Sequence, residues 1–296
     1  MSAVEFLNGI SGRNSLSNLL VSVRSVREAE LIKHLDVGIL DVKEPSRGGL
    51  GASDRETIRE IAKVVNGSGS KVDLSFSAGE LMQWYSRLNG KAGDEGTARS
   101  VNQSSQSPLS QSLIQPLIQH YGVELLSQYR FVKVGLAGVT THSKDGQFDW
   151  RSAWRQLFAD LPSPTRAVAV AYLDFRDCGA PTPSEVIKLA GGEKSAEAVL
   201  FDTCYKSGDL FSHVSITEIS DLVQNTLSFG LIPVVAGSVG LDCLSKVVTA
   251  SPDFVGVRGA VCEGNRAGGI VPELVGEFIR ELRAVVSSQG SVSQRI

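Results

Sequence analysis

The chain has 296 residues, with 29 Lys and Arg against 32 Asp and Glu, a formal charge of −3 and a pI near 5.9. That balance, without any long basic block, argues against a nucleic-acid or anionic-membrane partner. Hydrophobic content of 42% and charged content of 21% suit a globular protein with a substantial core.

The first seventeen residues mix Glu5, Asn8, Gly12 and Arg13 with apolar side chains and lack the unbroken apolar stretch of a signal peptide. No run approaches the roughly 18 apolar residues that a membrane helix needs. The four cysteines, Cys178, Cys204, Cys243 and Cys262, form no CxxC pair, a pattern of reduced thiols rather than of disulfides or a zinc site. A soluble, cytoplasmic protein is expected.

Short runs rich in Val, Ile and Ala recur along the chain. The first four are Leu19–Val23, Val37–Lys43, Lys71–Ser77 and Phe131–Leu136. Ala167–Leu173, Ala198–Thr203, Leu231–Ala236 and Phe254–Val257 follow. Between them, apolar residues take helical spacing over 26–35, 54–65, 111–127, 150–159, 184–190, 216–229, 241–249 and 271–286. Asp54 and Ser184 stand as candidate helix starts.

Continuous apolar strands alternating with helices predict parallel pairing through right-handed crossovers. Eight such units predict an α/β fold, a single (β/α)8 TIM barrel over 1–296, with an open doubly wound sheet as the alternative. Residues 86–112, rich in Ser, Gln, Gly and Asn, read as an inserted polar loop after the third strand, either a surface insertion or a lid. The tail over 287–296 reads as frayed.

Charged residues that interrupt apolar strands mark the chemistry. Asp41 and Lys43 lie two apart on one face of the second strand, with Leu40 and Val42 facing the helices. Lys133 sits between Val132 and Val134 in the fourth strand, and Asp202 closes the sixth, with Lys206 four residues on. Such buried charges cost several kcal/mol each unless they satisfy one another. Crowded ammonium groups also lower each other's pKa, and a neutral amine is what attacks a carbonyl. A structural ion-pair network is the competing reading.

The loops after the seventh and eighth strands read Ala236-Gly237-Ser238 and Arg258-Gly259-Ala260. Barrels often bind phosphate there through backbone N–H groups, so Gly237, Ser238, Arg258, Gly259 and Ala260 are candidate phosphate ligands. Gly48-Gly49-Leu50-Gly51-Ala52 reads equally as an anion-binding loop or a plain strand-to-helix turn. The histidines show no metal-binding spacing, although His142 follows the fourth strand closely enough to reach a site there.

With these residues in hand, the sequence resembles the (5-formylfuran-3-yl)methyl phosphate synthases, also called 4-(hydroxymethyl)-2-furancarboxaldehyde-phosphate synthases. The matching stretches are Asp41-Val42-Lys43-Glu44-Pro45 running on to Gly49-Leu50-Gly51-Ala52, and Val132-Lys133-Val134-Gly135-Leu136. Leu200-Phe201-Asp202-Thr203 with Lys206, Ala236-Gly237-Ser238 and Val255-Gly256-Val257-Arg258-Gly259-Ala260 complete them, from about residue 19 to 280.

The resemblance implies a (β/α)8 barrel that condenses two glyceraldehyde 3-phosphate molecules, with loss of one phosphate and water. The product is the furan precursor of methanofuran-type one-carbon carriers. The resemblance further implies that Lys43 forms the Schiff base, that Lys133 shuttles protons, and that Asp41, Asp202 and Lys206 support acid–base work. It implies no metal or organic cofactor.

The segment 86–112 and both termini are longer than the family pattern, and Gly240 stands where a polar residue is expected. The expected partners are a small phosphorylated triose and further copies of the chain, a homo-oligomer, with neither nucleic acid nor membrane. Another class I aldolase-type sugar-phosphate barrel, and an inactive barrel that binds phosphorylated ligands, remain the competing readings.

Overall fold

In the computed structural model, which describes residues 19–88, 116–143, 148–206 and 208–293, eight parallel strands close on themselves in sequence order. They are β1 (Leu19–Val23), β2 (Ile39–Val42), β3 (Asp73–Glu80) and β4 (Phe131–Gly135), then β5 (Arg166–Tyr172), β6 (Ala196–Asp202), β7 (Ile232–Val235) and β8 (Phe254–Val257). The ring shuts where β8 pairs with β1, Leu19 opposite Val255 and Val21 opposite Val257. The predicted closed barrel is therefore the observed fold.

The helices outside the barrel are α1 (Val26–Ile32), α2 (Arg55–Asn66), α3 (Leu81–Leu88), α4 (Pro116–Tyr121), α5 (Val123–Leu126) and α6 (Val139–Ser143). They continue with α7 (Trp150–Phe158), α8 (Phe175–Cys178), α9 (Pro183–Gly191), α10 (Ile216–Ser228), α11 (Leu244–Thr249) and α12 (Pro272–Ser293). In α2 the buried residues Ile58, Ile61, Ala62 and Val65 follow the i, i+3, i+4, i+7 spacing of one helix face. Each of the Ile and Val side chains gains about 1.5–3 kcal/mol on burial, which is what holds the helix to the sheet.

Strand alternation sorts the remaining side chains into two cores. Leu40, Val42, Val132 and Val134 pack outward under the helices. Leu20, Ile39, Phe131, Val168, Leu200 and Val234 pack inward and fill the lower barrel. The inward face therefore carries Asp41 and Lys133 as well, as the sequence pattern predicts.

Several boundaries differ from the sequence reading for identifiable reasons. The helix expected over 111–127 is broken at Gly122, whose φ of 82° an α-helix does not allow, into α4 and α5. Thr182, not Ser184, caps α9: its hydroxyl accepts from the Glu185 N–H, and the Glu185 carboxylate accepts from the Thr182 N–H. β3 runs past Ser77 to Glu80 through a bulge that sequence periodicity does not signal. α12 continues through Ser293, past the point where a frayed tail was expected. Most of the proposed insertion, residues 89–112, lies outside the described residues.

Candidate active site

The C-terminal ends of the strands surround a cavity of about 330 Å³, within the usual range for small-molecule sites. Asp41, Lys43, Lys133, Asp202 and Lys206 all line it. So do Gly237, Ser238, Arg258, Gly259 and Ala260. The predicted residues thus converge on one space, delivered by β2, β4, β6, β7 and β8.

Asp41 and Lys133 form its floor. The Lys133 Nζ lies 2.6 Å from the Asp41 Oδ1, and their side chains are 3% and 1% exposed. Two hydroxyls complete the carboxylate's shell: Ser75 donates to Oδ1 at 2.6 Å and Ser22 to Oδ2 at 3.2 Å. Ser75 also accepts from Lys133 Nζ at 3.0 Å. Burial works against ionisation of Asp41, but Lys133 and then Lys43 outweigh it and hold the carboxyl below its ordinary range.

Asp202 and Lys206 form a second pair on the opposite wall. The Lys206 ammonium donates to the Asp202 carboxylate and to the Thr203 carbonyl, and Asp202 also accepts from the Thr203 N–H at 2.8 Å. Here too the lysines, Lys206 before Lys43, overcome burial and keep the carboxyl below its ordinary range.

Lys43 stands between the two pairs. Among the described residues its ammonium makes no ion pair or hydrogen bond, although Asp202 and Asp41 lie near enough to act through space. Burial, with Lys206 and Lys133 adding to it, brings its pKa down to about 8 against the pull of those carboxylates. About a tenth of the side chain is then a neutral amine at pH 7, against well under a thousandth for an ordinary lysine.

The loops after β7 and β8 form the upper wall. Gly237 has φ 101°, and a Cβ there would come within 3.2 Å of the Thr203 side chain. Ser238 takes φ 59°, a left-handed conformation rare for a side-chain-bearing residue. Among the described residues the N–H groups of Gly237, Ser238, Gly259 and Ala260 have no protein acceptor. Together they make a surface suited to an anion.

Arg258 lines this wall but faces away from it. Its five N–H donors go to the Arg266 carbonyl, the Ser22 carbonyl, both oxygens of Glu28 and the Gly268 carbonyl. Nothing is left for a phosphate, so its place is behind the loop rather than on the ligand. His142 is exposed, with Nδ1 2.8 Å from the Gly138 carbonyl, and is not part of the cavity wall. The glycine run after β2 forms a strand-to-helix turn that sends Leu50 into the cavity.

Sequence reasoning missed the hydroxyls Ser22 and Ser75, the cavity-lining Arg266, and a neighbouring acid. That acid is Glu80, which accepts from the Tyr172 hydroxyl at 2.6 Å and from the Ala137 N–H at 3.0 Å. Burial raises its carboxyl above the ordinary range. The pair packs directly on Gly135, where a Cβ would fall 2.2 Å from Glu80 and 2.4 Å from the Tyr172 hydroxyl. Ser22 and Ser75 could have been found by following the inward period of β1 and β3.

Lysines and carboxylates gathered at the C-terminal mouth of a closed parallel barrel define the class: a (β/α)8-barrel enzyme. A truncated 3-deoxy-D-arabino-heptulosonate 7-phosphate synthase from Thermotoga maritima has the same architecture, with a TM-score of 0.52 over 94% of this chain and 89% of that one. At 8% identity the likeness is one of fold alone.

The chain belongs to the 4-HFC-P synthase family, whose profile matches residues 19–96 and 116–279. The (5-formylfuran-3-yl)methyl phosphate synthase of Archaeoglobus fulgidus is 29% identical over 260 residues, 87% of this chain and 95% of the relative. The synthase of the same name from Methanosarcina mazei is 27% identical over 267 residues, 90% of this chain and 99% of the relative. Among the described residues no helix is long and apolar enough to cross a membrane.

Proposed function

We propose that the protein condenses two molecules of glyceraldehyde 3-phosphate into (5-formylfuran-3-yl)methyl phosphate through a Schiff base on Lys43. The balance is redox-neutral: two trioses give one furan aldehyde phosphate, one inorganic phosphate and two molecules of water. This places the enzyme among carbon–oxygen lyases acting on phosphates, in the supply of precursors for methanofuran-type carriers.

The observation that supports the reading best is the inequality of the three lysines. Lys133 and Lys206 are each held by a carboxylate, whereas Lys43 stands between them with no ion pair among the described residues and a pKa of about 8. A neutral Lys43 amine would add to the triose carbonyl and expel water. The resulting iminium withdraws electrons, so a proton leaves the adjacent carbon and the enamine carbon attacks the second aldehyde. Lys133, which lines the same cavity, would move that proton, with Asp41 taking up the charge change. Asp202 and Lys206 would serve the later eliminations from the other wall. The phosphate would rest on Gly237, Ser238, Gly259 and Ala260.

Mass spectrometry after incubation with glyceraldehyde 3-phosphate, with and without borohydride, tests the reading. The expected result is the furan aldehyde phosphate in solution and a reduced adduct on the peptide carrying Lys43. Lys43→Ala should lose the adduct and at least about a thousandfold in turnover while remaining folded. Normal turnover in that variant sinks the assignment of Lys43. An adduct without furan points to another class I aldolase-type barrel, and neither signal points to a binding protein.

A further inference from the structure

Removing Arg258 from direct ligand contact leaves the question of which cation faces the anion-binding wall. Arg258 is 5% exposed, with its donors spent on Glu28 at 2.9 Å and on backbone carbonyls, so it has none to offer a ligand. The three lysines sit lower, two of them already paired with Asp41 and Asp202. Arg266 differs from all of these. It is half-buried, it lines the cavity, and among the described residues its guanidinium makes one hydrogen bond, to the Gly48 carbonyl at 3.1 Å, and no ion pair.

The segment that carries Arg266 is built to present it. Beyond the β8 loop the chain folds back on itself, with Cys262 bridging Ile270, the Glu263 N–H on the Gly269 carbonyl and the Gly268 N–H on that of Asn265. Arg258 fastens this arm from beneath, donating to the Arg266 carbonyl at 2.7 Å and to that of Gly268 at 3.2 Å. One arginine thus holds the backbone of the other. The Arg266 side chain crosses from the β8 loop to the turn after β2, over the mouth of the cavity.

The cost of that placement is visible. Burial disfavours the Arg266 charge and Arg258 repels it, with Asp202 offsetting part of the penalty. A guanidinium that is partly desolvated and holds a single neutral acceptor has donors to spare for an oxyanion. Besides Arg258, the cavity lining carries four cations, Arg266 and the three lysines when protonated, against the carboxylates of Asp41 and Asp202. That excess suits a phosphate dianion.

We propose that Arg266, and not Arg258, is the guanidinium that grips the substrate phosphate, closing over the Gly237–Ser238 and Gly259–Ala260 loops by exchanging its Gly48 contact for phosphate oxygens. Arg258 is the positioning residue that fixes the arm. A guanidinium can hold two oxygens of a phosphate at once, which a lysine in its place cannot. This selects phosphorylated over unphosphorylated aldehydes, and it rests on the triose-phosphate reading above.

The test uses the full-length protein and compares wild type with Arg266→Ala and Arg266→Lys. In Arg266→Ala, KM for glyceraldehyde 3-phosphate should rise about 10–100-fold while kcat falls far less, the loss of one charge-assisted contact. Inorganic phosphate, measured by calorimetry and as a competitive inhibitor, should weaken by a similar factor. The preference for glyceraldehyde 3-phosphate over glyceraldehyde in borohydride trapping should shrink in step, and Arg266→Lys should recover only part of each.

An unchanged phosphate affinity and an unchanged preference in Arg266→Ala overturn the inference. So does an equal loss of trapping with both aldehydes, which is the signature of a merely structural arm. A wild-type protein that traps neither aldehyde defeats the reaction proposed above instead. Phosphate calorimetry then still judges Arg266 by itself.

Discussion

Two carboxylate–lysine pairs flank Lys43, and they are built in opposite ways. Asp41 and Lys133 both project from strands, are 1% and 3% exposed, and share the Ser75 hydroxyl, while Ser22 donates to Asp41 alone. Asp202 ends a strand, but Lys206 rides the loop beyond it with 16% of its side chain exposed and leans on the backbone of Thr203. The first pair is locked to the barrel and can hold an angle. The second can let go of its lysine into solvent, as a group that follows changing intermediates must. The difference also assigns the costs: a charge deserted on the first wall stays buried, whereas one deserted on the second can turn to water.

The largest effect should come from breaking the rigid pair. Asp41→Asn leaves the Lys133 ammonium buried without its counter-charge and should cost about 3–5 kcal/mol of stability, measured by urea unfolding. Asp202→Asn should cost only about 1–2 kcal/mol, because Lys206 can reach solvent. Equal losses would erase the contrast between the walls.

A second measurement sharpens it through Lys43. Asp202 is the carboxylate that most strongly favours its ammonium form, with Asp41 next. Removing a negative neighbour makes the ammonium easier to deprotonate, so its pKa falls. In wild type the rate of imine trapping should climb with pH through about 8, and Asp202→Asn should move that midpoint lower. A midpoint that moves upward, or stays in place, would show that Asp202 does not act on Lys43.

The smallest effects separate the two serines. Ser75 bridges Asp41 and Lys133, so Ser75→Ala should cost about 1–2 kcal/mol. Ser22 makes a longer bond to the other carboxylate oxygen, and Ser22→Ala should cost about 1 kcal/mol or less. The reverse order would place the weight of the floor on β1 rather than β3.

Much of this site is legible in the sequence because the barrel imposes a period of two. Lys133 between Val132 and Val134 can only face inward if its neighbours pack under the helices, and they do. Asp41 and Lys43 follow by the same argument. Ser22 and Ser75 obey it too, but a serine in a strand is too ordinary to stand out until its hydroxyl is seen on a carboxylate. Glu80 escapes because a bulge between Ser77 and Glu80 breaks the register.

Arg266 escapes because it sits in an irregular arm eight residues beyond Arg258, where no periodicity operates. Arg258 lines the cavity, but the phosphate contact expected of it from the sequence does not follow, because its donors are all taken by protein oxygens. Only the structure reveals that Glu28, from α1, absorbs its charge.

That last contact joins residues 230 positions apart, and it lies across the seam where β8 meets β1. During translation at about 5–20 residues per second, roughly 10–50 s separate the synthesis of Glu28 from that of Arg258. Through that interval β1 has an open edge, the arm bearing Arg266 has yet to be made, and Ser22 has no guanidinium on its carbonyl. The lysines are all made earlier, but the anion wall exists only once the ring has shut. A ribosome-bound chain halted before the last strand would carry every amine of the site and no place to seat a phosphate.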